Sequence, residues 1–319
     1  MVRTAAARDN SGRRRPYPLV CAPMAPRDLL SVILIMAVFG SAYVVGKLGV
    51  GHFPPFAFAA LRSAILALAL IPLFRFELPD RTRWPALAGF CLTMGTAVYA
   101  AMYLALMLTH TVAPIIIGTQ LSVPFAVLLG LLVLKEPVGW ATWIAILAAF
   151  SGVVVIAFDP ALVNDLPALG AIAVSAFSYA LATMFARALR GVSAFAMNGW
   201  MAISAILPLG LLSLMFEDGQ WQAIRTAGWL QWGVLLHSAL VVSLVGHVWM
   251  FSLYRRYAVA TVIPFYVLMP VFGVAMSQLV FAETPTLQTW IGGAIVLAAT
   301  YAVNRITTRD RETRVARAR

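Results

Sequence analysis

The chain has 319 residues, 62% of them hydrophobic and only 11% charged, with a formal net charge of +11. Soluble domains carry roughly 25% charged residues, so most of this chain belongs in lipid. The basic residues sit in the two tails and in short loops between apolar runs, which argues against a nucleic-acid surface and reads as a topology signal. Two cysteines, Cys21 and Cys91, offer neither a disulfide framework nor metal-ligand spacing, and no cofactor or metal is expected.

Residues 1–27 are polar, carry Arg13-Arg14-Arg15 and read as a disordered basic tail. Ten apolar runs follow, at about 28–49, 53–75, 84–108, 111–134, 138–158, 166–187, 195–216, 228–253, 258–281 and 286–305. Each is near the ~20 residues a helix needs to cross the hydrocarbon core. Phe53-Pro54-Pro55, Lys135-Glu136-Pro137, Asp159-Pro160 and Glu283-Thr284-Pro285 separate them, and a second basic tail spans 306–319. The first run lacks a small-residue cleavage site with a polar segment after it, so it reads as a span and not a signal peptide.

The expected fold is therefore an all-α integral membrane protein of ten transmembrane helices. With the N-terminus in the cytoplasm, 20 of the 23 Lys and Arg residues fall inside. Only Arg225 falls outside, and Lys47 and Arg62 lie within spans. That bias expects a multi-pass protein of the cell's inner (plasma) membrane with both termini cytoplasmic. Its expected partners are the lipid bilayer and a small-molecule substrate, and nothing in the sequence requires more than a monomer.

One stretch occurs twice. Val112-Ala113, Glu136 and Trp143 recur 147 residues later as Val259-Ala260, Glu283 and Trp290, while Pro124 recurs as Pro270 at an offset of 146. This divides the chain into residues 28–158 (spans 1–5) and 159–305 (spans 6–10). Five is odd, so the second half enters the membrane upside down. Inverted repeats of this kind build transporters whose central site faces alternate sides.

These features can now be joined to sequence motifs. Phe39-Gly40-Ser41-Ala42-Tyr43, Phe53-Pro54-Pro55 through Leu61-Arg62, and the paired ends Leu134-Lys135-Glu136 and Phe281-Ala282-Glu283 resemble the EamA-domain branch of the drug/metabolite transporter (DMT) superfamily. The resemblance covers roughly residues 28–305 and implies two inverted five-helix repeats. Val245-Gly246-His247-Val248-Trp249, Arg256-Tyr257, Val259-Ala260 and Pro264 look most similar to exporters of cysteine-pathway metabolites and related amino acids. The family usually has tryptophan where Phe39 stands, so a role for that indole does not carry over.

Polar groups deep in lipid are costly and mark function. All twelve carboxylates fall in loops, tails or span ends, which leaves proton coupling through a buried acid without support. His247 is the titratable alternative. Arg62 reads either as an anchor for a substrate carboxylate or as a structural cap on helix carbonyls. Gln120 reads as a substrate contact or as a bridge between helices. Pro114, Pro124, Pro264 and Pro270 break spans 4 and 9, which would free carbonyls to line a cavity between those spans. Tyr43, Tyr99, Tyr103, His247, Trp249 and Tyr266 are candidate cavity residues, with an interfacial belt as the ordinary reading of Tyr103. Lys47 reads as snorkelling outward, and Trp140, Trp143 and Trp290 as interface anchors. Glu136 and Glu283 read as caps on the helices that follow them. The sharper reading is a gate lock, with Glu136 paired to Arg187 or Arg256.

The leading function is export of amino acids or amino-acid-like metabolites by alternating access. The alternatives are another small metabolite or drug, or a lipid or polyprenyl carrier on the same fold. An embedded enzyme would need a catalytic cluster that four histidines and no mid-membrane carboxylate do not supply.

Overall fold

The structure is a computed structural model that describes residues 24–72, 78–135, 139–189, 191–254, 257 and 262–317. The described residues fold into helices and connecting turns. Pro26 and Pro55 begin α1 (Pro26–Val50) and α2 (Pro55–Leu70), where the missing N–H costs nothing. The next stretch runs through α3 (Trp84–Phe90), a π-helical segment Cys91–Ala97 and α4 (Val98–Leu108). Then come α5 (Val112–Gly118), the 3-10 segment Thr119–Leu121 and α6 (Ser122–Leu134), followed by α7 (Trp140–Ala157).

The second half repeats this order. A 3-10 turn Pro160–Asp165 leads into α8 (Leu166–Ala188), then α9 (Ala194–Phe216) and the short α10 (Gln220–Thr226). Next are α11 (Trp229–Leu236), a π-helical segment His237–Gly246 and α12 (His247–Tyr254). The 3-10 segment Ile263–Val267, α13 (Leu268–Phe281) and α14 (Leu287–Arg317) complete the chain.

Among the described residues, seven helical stretches are long and apolar enough to cross a membrane, and Pro55–Leu70 and Phe265–Phe281 are shorter apolar helices. The helix starting at Pro26 begins inside the expected N-terminal tail. The last helix continues past residue 305 to Arg317, because an existing helix propagates cheaply through Arg- and Glu-rich sequence. The loop helix α10 has no counterpart among the expected spans.

The repeat is visible in the backbone. The interrupted stretches stand at matching places: Cys91–Ala97 with His237–Gly246, and Thr119–Leu121 with Ile263–Val267. Lys135 and Ala282, 147 residues apart, both end their helices at φ 53°, ψ 31°. This is the left-handed turn that closes a helix C-terminus. Pro124 and Pro270 fall on the third residue after the 3-10 breaks, in a first turn that tolerates proline.

Packing follows the same exchange of halves. Helix α1 packs on α13 and its counterpart α8 on α6, while α2 packs on α9 and α7 on α14. Glycines allow the close approaches. A Cβ on Gly40 would lie 2.7 Å from both the Gly273 nitrogen and the Met269 carbonyl oxygen. One on Gly292 would meet the Gly152 carbonyl oxygen at 2.4 Å. Small residues are the usual means of joining helices in lipid.

Gly40→Leu and Gly292→Leu should each cost about 1–3 kcal/mol, as overpacking does, read as a lower melting temperature in detergent. Gly170, with open space around it, supplies the control. Gly170→Ala should hold or raise the melting temperature.

Candidate functional site

Arg62 lies seven residues into α2, about 10 Å from its end at 1.5 Å per residue. It is 2% exposed and the largest fully buried side chain described. Its guanidinium lies 3.8 Å from the centroid of the Tyr99 ring and donates to the Ser243 hydroxyl. A desolvated cation–π contact contributes about 2 kcal/mol. The support continues outward: Ser243 Oγ donates to the Ser238 carbonyl oxygen at 3.0 Å, and the Tyr103 and Ser238 hydroxyls are 3.0 Å apart. Tyr99 stacks on Tyr103, whose ring meets Phe58 edge-on. Among the described residues no carboxylate touches Arg62.

Two further polar groups share this depth. Tyr43 sits near Thr119, Tyr99, Tyr103 and Tyr179. His237 Nε2 is 2.9 Å from Ser41 Oγ. Tyr43, Arg62, Tyr99, Gln120 and His237 each lie seven to nine residues from a helix end. They form one layer about 10–14 Å deep. Gln120 is 7% exposed and its side chain makes no hydrogen bond among the described residues.

The other expected residues distribute differently. Tyr266 packs with Phe39, which also lies against Gly246, and Trp249 joins that separate apolar cluster. Tyr103 is buried at 1% exposure, so it is no part of an interfacial belt. Pro114, Pro124 and Pro270 are buried. Ile116 of α5 and Gly273 of α13 meet directly. The polar layer gathers around α1, α2, α4 and the π segment of the eighth stretch, rather than between spans 4 and 9 alone. Glu136, Arg256 and Val259-Ala260 lie outside the described residues, as do the side chains of His247 and Pro264.

His237, Ser238, Ser243 and Ser41 were not singled out by the sequence. Ser238 and Ser243 are five apart, a spacing that shares no face of an α-helix. The π winding, with its i→i+5 bonds, is what joins them.

At one end of the bundle, carboxylates cap helices across the halves. Glu283 accepts from the Val112 amide at 2.9 and 3.1 Å, so it caps α5 of the other half and not the helix after it. The reason is proximity: its own helix ends beside the N–H groups that open α5 without an intrahelical partner. Glu217 likewise accepts from the amides of Phe56 and Ala57 at the start of α2, at 2.6 and 3.0 Å. Lys47 does not snorkel outward. Its ammonium donates to the carbonyls of Leu106 and Thr109 at 2.8 and 2.6 Å, closing the C-terminus of α4.

Asp165, 2% exposed, pairs with His110 and accepts from the His110 amide and the Thr109 hydroxyl. Burial opposes its ionisation, but the bonds from His110 and Thr109 prevail and hold the carboxyl below the usual aspartate range. At the opposite end of α1, Tyr257 donates to Asp28 at 2.7 Å.

A depressed acid contributes stability above its unfolded pKa of ~3.9 and loses it as pH falls through the lower folded value. Melting curves between pH 3 and 6 should show an acid-side loss that Asp165→Asn reduces. Glu283→Ala should cost about 1 kcal/mol, the worth of a helix cap, measured in the same scans at pH 7.

Residues 27–158 and 166–305 each match the family described as the EamA-like transporter family. A protein of Salmonella typhimurium (strain LT2) described as a probable amino-acid metabolite efflux pump is 27% identical over 287 residues, covering 87% of this chain and 95% of that one. A protein of the same description from Escherichia coli (strain K12) is 25% identical over the same length and coverage. An uncharacterized transporter of Synechocystis is 26% identical over 305 residues, covering 88% of this chain and 90% of its own. One solved crystal structure, 18% identical, superposes with a TM-score of 0.60 over 89% of this chain and 99% of that chain, which speaks to the fold alone. With both halves matched by the family model, the chain belongs to the EamA-like transporter family of the drug/metabolite transporter superfamily, as a multi-pass membrane transporter.

Proposed function

We propose that this protein exports amino acids or amino-acid-like metabolites across the inner membrane by alternating access. Ten helices cross as two inverted halves with both termini in the cytoplasm. The observation that carries this reading is Arg62: a buried guanidinium in mid-bundle, braced by Tyr99 and Ser243, with no carboxylate beside it among the described residues. A planar fork of five donors suits the carboxylate that every amino acid carries. Tyr43, Tyr99 and Gln120 lie in the same layer, Tyr103 stacks on Tyr99 one turn further along α4, and these four form the rest of the binding surface.

Two relatives described as probable amino-acid metabolite efflux pumps support the substrate class. The odd number of spans per half and the bias of 20 inside basic residues support the topology. The rim bonds of Glu283, Glu217 and Asp165 tie the two halves together at the face this topology places outside, as an outer gate does, and Lys47 fastens α1 to α4 within the first half. Alternating access would require them to exchange for water when that face opens.

The test is transport into vesicles with a panel of amino acids, purines, sugars, drugs and lipid carriers. Amino-acid-like compounds should move, and Arg62→Ala should lower their rate at least tenfold while Arg62→Lys keeps part of it. Transport of lipid carriers alone, or full activity in Arg62→Ala, would remove this reading. Reporter fusions at Asp80 and Arg225 should report cytoplasm and exterior respectively.

A further inference from the structure

We infer that the site selects substrates with a net charge of −1, namely carboxylates whose amino group is acylated or absent, over zwitterionic amino acids, and that the membrane potential drives their export. This rests on the reading above, that Arg62 holds the substrate carboxylate.

Arg62 is a permanent cation, 2% exposed, and no interior position of any span carries an aspartate or glutamate. An incoming carboxylate neutralises the site, with the fork of Arg62 supplying parallel hydrogen bonds. A zwitterion brings an ammonium as well. Its short tether to the carboxylate holds it a few ångströms from the guanidinium, where low dielectric strengthens the repulsion between like charges.

No carboxylate is at hand to offset that charge, and the Tyr99 face is already covered by Arg62. An acylated amine avoids the conflict, because an amide is neutral. Gln120, 7% exposed and without a hydrogen-bond partner among the described residues, carries the complementary pair of amide donor and acceptor. Its neighbour Thr119 lies beside Tyr43.

The driving force follows from the charge. One elementary charge moved across 100 mV corresponds to ~2.3 kcal/mol. A monoanion leaving a negative cell interior therefore travels downhill with no coupling ion. The absence of a mid-span carboxylate, which a proton antiporter would use, is consistent with that economy.

The test uses the full chain in proteoliposomes and three charge forms of one skeleton: L-leucine, N-acetyl-L-leucine and L-leucinamide, with the matching phenylalanine set beside them. Uptake is read by mass spectrometry under potassium diffusion potentials of both signs. The expected result is at least tenfold higher uptake or tighter competition by the N-acetyl forms than by the zwitterions, with leucinamide excluded. Accumulation of the anion should change about tenfold for each ~60 mV.

Arg62→Gln should level anion and zwitterion. If that variant does not fold, the charge ladder and the voltage dependence of the native protein still test the inference. Zwitterions carried as well as or better than their N-acetyl forms would overturn it and leave the export reading standing. No transport of any of the three charge forms, with another panel class carried, would overturn both.

Discussion

Arg62 carries a permanent charge into the bundle where, among the described residues, no carboxylate touches it, and a charge taken out of water must be solvated by something else. Here the solvation comes from neutral groups: one aromatic face and a serine hydroxyl, themselves fixed by Tyr103 and Ser238. Neutral support leaves the charge in place. A carboxylate partner would have consumed it in a salt bridge and left nothing for a ligand.

The helices pay for this arrangement with irregular backbone. Two π-helical segments and two 3-10 breaks occur at matching places in the halves. The second π segment supplies both serines of the Arg62 support. Irregular backbone at membrane depth is tolerated where protein buries it or where it lines a cavity. The rim solves the related problem of helix ends. Free N–H groups of α5 and α2 receive Glu283 and Glu217, and the last carbonyls of α4 receive Lys47. Each bond crosses from one element to another, so the caps that stabilise single helices also fasten the bundle.

Much of this was legible in the residues. Proline and acidic punctuation marked the helix limits, and the 147-residue offset announced two related halves. Arg62 stood out because an arginine among apolar residues is rare. Tyr99 and Tyr103, four apart, were readable as one face. What escaped was winding and partnership. Ser238 and Ser243 share a face only in a π-helix, and apolar periodicity does not encode that state. Glu283 looked like a cap for the helix after it because nothing local reveals that the start of α5 lies nearer. Lys47 looked like a snorkelling residue for the same reason. Long-range pairing depends on how whole helices stack, through contacts such as Gly40 on Gly273, and those leave only a glycine in the sequence.

The central claim is that the Arg62 guanidinium receives the carboxylate of the transported molecule. A substrate-bound structure tests it most directly. The account predicts two carboxylate oxygens about 2.7–2.9 Å from the guanidinium nitrogens, with Tyr99 still stacked on the cation. A substrate whose carboxylate lies elsewhere in the bundle, with Arg62 unchanged on Tyr99 and Ser243, would contradict it.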